Sequence, residues 1–190
     1  METQKQFEKD KERASKYEMD VAKRIFNNNK LIEDNTWQLS DVRKITEYQE
    51  KDIDFLIMTT DFRNCVLAIE VKIDFTSLPN FFFEIGRATG QPGCMMTTEA
   101  DEVWYYFVDR DKLYRFSTPK LREYLTKTLN ELREIDERKG KQEGILPGEL
   151  EKLSWYKTAT SKTNSIGLAI PIESVIKDLC VIIDDYGVKT

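Results

Sequence analysis

Two apolar runs near the middle of the chain, at 55–58 and 66–71, flank a polar segment of the kind that forms turns. This pattern predicts two adjacent antiparallel strands joined by a short loop. Outside the turn, charged side chains occur only at the open end of the hairpin, where Asp52 and Asp54 precede the first strand and Glu70 and Lys72 close the second. Side chains alternate along a strand, so Glu70 and Lys72 share one face. A carboxylate buried there costs several kcal/mol unless it is paired or binds a metal ion, which makes this end of the hairpin a candidate site.

The rest of the pattern predicts helices around a sheet. A run without Gly or Pro favours a first helix over about residues 2–26, with Glu18 at the border of its apolar stripe. Thr118-Pro119 is typical of a helix start, and a helical stripe continues from there to about Arg138. The remaining predicted elements are strands at 36–42, 81–85, 102–108, 113–116 and 165–170, and a short helix at 173–179.

This order of elements predicts an α/β (α+β) protein with a central mixed β-sheet flanked by helices. We expect a single domain over residues 1–190, with a helical element at 118–140 and a mobile loop at 140–150. A second loop is expected over Gly86–Gly93, where Arg87 and Gln91 are polar groups suited to contact phosphate or substrate.

The chain has no histidine. Serine and cysteine triads that use a histidine base are therefore excluded, as are histidine-containing zinc sites and HNH-type nucleases. Metal chemistry in this chain would use carboxylates and carbonyl oxygens, which suit Mg²⁺ or Mn²⁺.

The amino terminus is highly charged, and no long apolar run occurs, so we expect a soluble, cytoplasmic protein without a membrane partner. Three cysteines without a Cys-x-x-Cys pair, Cys65, Cys94 and Cys180, are expected to be buried thiols in a reducing compartment. The net charge of −5 argues mildly against avid, non-specific nucleic-acid binding. Basic residues nevertheless outnumber acidic ones over 110–162, a segment that either lies along a phosphate backbone or is solvated surface.

Glu18 on a first helix, Asp54 entering a strand and Glu70-Val71-Lys72 closing the next resemble the PD-(D/E)XK nuclease superfamily. A second stretch resembles its phage-encoded and bacterial members, through Asn80, Glu84, Gly93, Asp101 and Tyr106. The resemblance spans roughly residues 10–110 and implies a restriction-endonuclease-like core.

The resemblance implies that Asp54 and Glu70 bind one or two divalent cations, Mg²⁺ (or Mn²⁺), helped by the backbone carbonyl of Val71. Lys72 would orient or activate the attacking water and stabilise charge on the phosphorus, and Glu18 would serve a second metal position. The proline that usually precedes the aspartate is replaced by Ile53, which leaves Asp52 as an alternative; Asp54 is preferred because it directly precedes the apolar strand. Glu84 would be an accessory acid, and Arg87 and Gln91 would bind substrate.

The function expected from this resemblance is hydrolysis of phosphodiester bonds in DNA, selected by DNA structure, in recombination, repair or phage DNA processing. A homodimer is a further expectation. A junction resolvase would be a small dimer with a basic face, and the size of this chain fits one, but its net acidity does not favour that subclass. Two other readings stay open. The chain can be an inactive nuclease-fold module for binding or assembly, or Asp54, Glu70 and Lys72 can form a buried ion-pair network with a structural role.

Overall fold

The computed structural model describes residues 2–28, 37–59, 65–141, 143–158, 165–179 and 181–185. The chain divides into two compact units. The first takes the described residues of Met1–Ser77, Glu99–Phe116 and Ile182–Thr190, and the second those of Leu78–Thr98 and Ser117–Val181. That residues 1–190 form one domain stays a prediction.

The first unit is a six-stranded sheet with a long helix packed on it. Its helices are α1 (Glu2–Asn28) and α2 (Thr46–Gln49), and its strands are β1 (Trp37–Asp41), β2 (Phe55–Thr59), β3 (Cys65–Asp74), β5 (Glu102–Phe107), β6 (Lys112–Ser117) and β9 (Ile182–Asp185). The strand order is β1-β2-β3-β5-β6-β9. The β1–β2, β2–β3 and β6–β9 pairs are antiparallel and the β3–β5 pair is parallel, which makes the sheet mixed.

The predicted hairpin is therefore present as β2 and β3, although the turn at 60–64 lies outside the described residues. Phe55 pairs with Ile69, and the register shifts after Ile57. Helix α1 contacts β1 and β3 and contributes Val21 and Ala22 to a core shared with Phe55 and Ile69. Burial of these apolar side chains holds the helix against the open end of the hairpin.

The second unit is a three-stranded antiparallel sheet with four helices. Its strands are β4 (Asn80–Arg87), β7 (Tyr156–Thr158) and β8 (Ser165–Pro171), and its helices are α3 (Cys94–Thr97), α4 (Thr118–Gly140), α5 (Pro147–Leu153) and α6 (Ile172–Asp178). The strand order is β4-β8-β7. Helices pack on strands in this unit as in the first, so the α/β (α+β) class with a mixed sheet and flanking helices is confirmed.

Several predicted boundaries differ from the structure. The loop expected over Gly86–Gly93 is shorter, because Gly86 and Arg87 still belong to β4 and pair with β8. The polar stretch at 140–150 is not loop throughout, because Pro147 starts α5, where the Glu149 side chain accepts a hydrogen bond from the Leu146 N–H. The helical element at 118–140 is present as α4.

The cysteine prediction is only partly right. Cys94 is buried, but Cys65 is exposed because it starts β3 beyond the packed part of the hairpin. Cys180 lies outside the described residues. In the part of the chain that the structure describes, no helix is both long and apolar enough to cross a membrane.

Candidate active site

The hairpin fixes Asp54 beside the second strand. Asp54 directly precedes β2, and its N–H donates to the carbonyl of Ile69 at 2.9 Å. Its side chain then accepts a hydrogen bond at Oδ2 from the Val71 N–H, at 2.8 Å. The carboxylate thus takes the place of the next backbone partner in the ladder. Because the N–H and C=O of one strand residue point to the same edge, the Val71 carbonyl is also directed toward Asp54.

Glu70 is a buried acid next to this aspartate. Only 4% of the residue is exposed. Burial raises the pKa of Glu70 well above its usual range, Lys72 opposes that rise, and Asp54 adds to it from within hydrogen-bond reach. Two carboxylates in one poorly solvated place repel each other, so an additional cation would stabilise the pair.

Lys72 contacts Glu70 from the same face of β3. Its Nζ forms an ion pair with Glu70 Oε1, while about a third of the lysine side chain (34%) stays exposed. The ammonium therefore lies at the border between the buried acids and solvent. From there it can meet an anion that arrives from outside.

Helix α1 brings Glu18 to the same place. Burial raises the pKa of Glu18, and the negative charge of Asp54 raises it further, whereas a hydrogen bond from Arg43 and the charge of Lys72 lower it. Asp54 and Lys72 therefore both lie within electrostatic range of Glu18. We call Glu18, Asp54, Glu70 and Lys72 together the Glu70 site.

Arg43 is a residue of this site that the sequence pattern did not reveal. Its NH1 group donates to Glu18 Oε2 at 2.9 Å and to the carbonyl and hydroxyl oxygens of Ser15 at 2.7 and 2.9 Å. Its other nitrogens bind Asp41 in a two-point contact, at 2.9 and 2.8 Å, and its guanidinium carbon lies 4.8 Å from the centre of the Phe55 ring. This network positions Glu18. The sequence signal for Arg43 is its spacing of two residues from Asp41. That spacing predicts an ion pair between these two residues in a local turn, but it does not predict a contact with a distant helix.

The donor set fits a single Mg²⁺ or Mn²⁺ ion. Asp54 and Glu70 offer carboxylate oxygens, and Val71 offers a carbonyl oxygen. Mg²⁺ is commonly held by one or two carboxylates and completes its shell with water and phosphate oxygens. Within the described ranges, no three acidic or cysteine side chains converge closely enough to hold a metal by themselves. The Glu18 carboxylate pairs with Arg43, at 2.9 Å.

The other residues singled out from the sequence belong to other elements or loops of the fold. Asp52 follows α2 with a left-handed backbone (φ 50°), so the aspartate whose side chain bonds to β3 is Asp54. Glu84 belongs to the second unit, where its carboxylate accepts a hydrogen bond from Ser165 at 2.8 Å and pairs with Arg87 at 3.5 Å. Arg87 and Gln91 line a cavity of that unit.

Comparisons with protein-family models, with curated proteins and with solved structures find no significant match to the chain. The nuclease resemblance accordingly rests on the residues and on the arrangement of the Glu70 site.

Proposed function

We propose that this chain is a metal-dependent nuclease of the PD-(D/E)XK type that hydrolyses phosphodiester bonds in DNA. The observation that carries the proposal is Glu70, a buried acid with a raised pKa, held beside Asp54 and contacted by Lys72. Burial and a like-charged neighbour are the means by which active sites shift pKa values, so Glu70 supports a functional site here.

Each residue of the Glu70 site has its own proposed role in the reaction. Asp54, Glu70 and the Val71 carbonyl would hold Mg²⁺ (or Mn²⁺), which supplies a water of lowered pKa and neutralises charge on the phosphate. Lys72 orients the attacking water and donates hydrogen bonds to the phosphate oxygens as their charge grows. Glu18, which Arg43 positions, would lie beside the metal ion.

The substrate we propose is DNA recognised by its structure, in recombination, repair or phage DNA processing. A net charge of −5 supports a requirement for particular structures, because an avid binder of any duplex would be more basic. Cleavage of junctions or single strands in preference to plain duplex is the expected pattern.

A second candidate is a nuclease-fold module that binds or assembles without cutting. Two ion pairs support it: Lys72 compensates Glu70 and Arg43 compensates Glu18 without any metal ion. Such a module would bind neither Mg²⁺ nor Mn²⁺ at Glu70, and it would lose stability when Glu70 is replaced.

The experiment is cleavage of single-stranded, duplex and four-way-junction DNA with Mg²⁺ or Mn²⁺ by wild type, Lys72→Ala and Glu70→Ala. Lys51→Ala is the matched control, because Lys51 pairs with Glu99 on the surface at 3.5 Å. We expect metal-dependent cutting by wild type and control, and none by the two site variants. Cutting that survives in both site variants would refute the site, and no cutting by any form would favour the non-catalytic module.

A further inference from the structure

The second unit contains a cavity of about 710 Å³ that the proposed nuclease chemistry does not use. Its walls come from the end of β4 and the loop after it, from β8, from α4 and from the end of α5. Apolar side chains form much of its lining, namely Ile85, Pro92, Leu129, Leu132, Leu153 and Ile166. A cavity of this size and lining is typical of small-molecule sites.

The loop after β4 has a backbone that keeps this cavity in shape. A Cβ atom at Gly93 would lie 2.5 Å from the carbonyl oxygen of Glu84, so only glycine permits the loop to return this close to β4. Gly90 has a φ of 84°, a left-handed conformation that also favours glycine. The end of β4 and this loop thus hold Arg87 and Gln91 together, and the Arg87 N–H donates to the Gln91 carbonyl at 2.8 Å.

The rim of the cavity is basic. Among the exposed residues of the lining, three are basic, Arg87 from β4 and Arg133 and Lys139 from α4, and one is acidic, Asp136. All four are surface side chains, and the ion pair of Arg87 with Glu84 is long, at 3.5 Å. In a chain whose net charge is −5, three cations around an apolar cavity indicate an anionic ligand.

The number and kind of polar side chains that line the cavity indicate which class of anion it would bind. A fatty acid carries one charge and would need one cation, whereas three cations match a polyphosphate. Apolar side chains on the strand side (Ile85, Ile166) and the helix side (Leu129, Leu132) suit a flat ring between them. The Gln91 amide and the Asp136 carboxylate can hydrogen-bond to the edge of that ring.

We propose that this cavity binds a nucleoside polyphosphate, with the phosphates at the basic rim and the base against the apolar lining. The proposal does not depend on the nuclease activity of the Glu70 site. The second unit would then bind a ligand that differs from the substrate of the Glu70 site.

The test is calorimetric titration of the full chain in metal-free buffer with ATP, GTP, CTP and UTP, and with inorganic triphosphate. We expect at least one nucleotide to bind, and inorganic triphosphate to bind at least about tenfold more weakly because it lacks a base. Arg133→Ala and, on the opposite wall, Arg87→Ala should each weaken binding by about tenfold or more. Lys127→Ala is the matched control, because Lys127 is an exposed cation of α4 outside the cavity lining.

Four results would overturn the proposal. They are no binding of any nucleotide by wild type, equal binding of inorganic triphosphate, unchanged binding in both arginine variants, and displacement of the nucleotide by decanoate at equal concentration. The last would assign the cavity to a single-charged acyl ligand. The arginines are exposed, and matching melting temperatures of the variants verify that they fold.

Discussion

The six-stranded sheet holds two acid–base pairs that are built differently. Glu70 and Lys72 both lie on β3, whereas Glu102 on β5 pairs with Arg115 on β6. Arg115 holds Glu102 through a two-point contact, with nitrogen–oxygen distances of 2.9 to 3.2 Å. Trp104 adds a hydrogen bond to Glu102 at 2.6 Å, and its ring lies 5.3 Å from the Arg115 guanidinium carbon. Lys72 holds Glu70 through a single nitrogen, and the next neighbour of Glu70 is another acid, Asp54.

The contrast separates a structural pair from a site. Both oxygens of Glu102 accept hydrogen bonds from the Arg115 guanidinium, and one also accepts from the Trp104 N–H, which is how a partly buried acid is stabilised. Glu70 is more deeply buried than Glu102, with 5% against 20% of the side chain exposed, yet it has the weaker cationic partner. The sheet tolerates that arrangement, and the proposed reason is a metal ion.

The largest effect expected to distinguish the two pairs is on DNA cleavage. Lys72→Met removes the ammonium that stabilises developing charge, so we expect single-turnover DNA cleavage to fall by about 10²–10³-fold. Lys51→Met, in the surface pair with Glu99, should cleave like wild type. Cleavage by Lys72→Met within twofold of wild type would remove this lysine from the mechanism.

The Glu102 pair should show its role in stability instead. Glu102→Gln leaves Arg115, whose side chain is 15% exposed, with a neutral partner. We expect the free energy of unfolding, measured with urea, to fall by about 2 kcal/mol. Cleavage at saturating metal should not change in the folded protein. Loss of cleavage without loss of stability would mean that the two pairs have been assigned the wrong way round.

Arg43→Gln tests how Glu18 is positioned. Without the guanidinium, the contacts to Glu18 and Ser15 are lost, and we expect the Mg²⁺ concentration for half-maximal cleavage to rise by about tenfold, as for other residues that orient metal ligands. Arg43→Lys should recover only part of the effect, because it cannot keep the two-point contact with Asp41. An unchanged metal requirement in Arg43→Gln would show that Glu18 acts without this support.

The smallest effect concerns pH and stability without metal. The pKa of Glu70 is raised in the folded protein, so the folded state binds this proton more tightly than the unfolded state. The free energy of unfolding therefore falls as pH rises above the ordinary value of 4.5 toward the raised one. Glu70→Gln should lack that loss and equal or exceed wild type in stability at neutral pH, as chemical denaturation with a chelator present would show. A variant clearly less stable than wild type there would favour the structural ion-pair reading.

Sequence reasoning reached the core of the site because its signals are local. Alternation along two short strands and a turn between them place Asp54, Glu70 and Lys72 together, and β2 and β3 confirm that arrangement. The helix start at Thr118-Pro119 is equally local, and α4 begins there.

Contacts between distant segments were beyond the same reasoning. Arg43 and Glu18 are 25 residues apart, and the pair forms only because α1 packs beside the end of β1. The assignment of Glu84, Arg87 and Gln91 to the second unit depends on the pairing of β4 with β8, across a sequence separation that no periodicity encodes. Likewise the sequence pattern predicts no strand at 182–185, and β9 is defined by its pairing with β6.

The most direct test of the central claim is a calorimetric titration with Mn²⁺ of wild type, Glu70→Gln and Glu102→Gln, carried out in the absence of DNA. We predict that wild type and Glu102→Gln bind the ion with similar affinity, and that Glu70→Gln binds it at least about tenfold more weakly. Equal binding by all three proteins, or no binding by wild type, would contradict a metal site at Asp54 and Glu70.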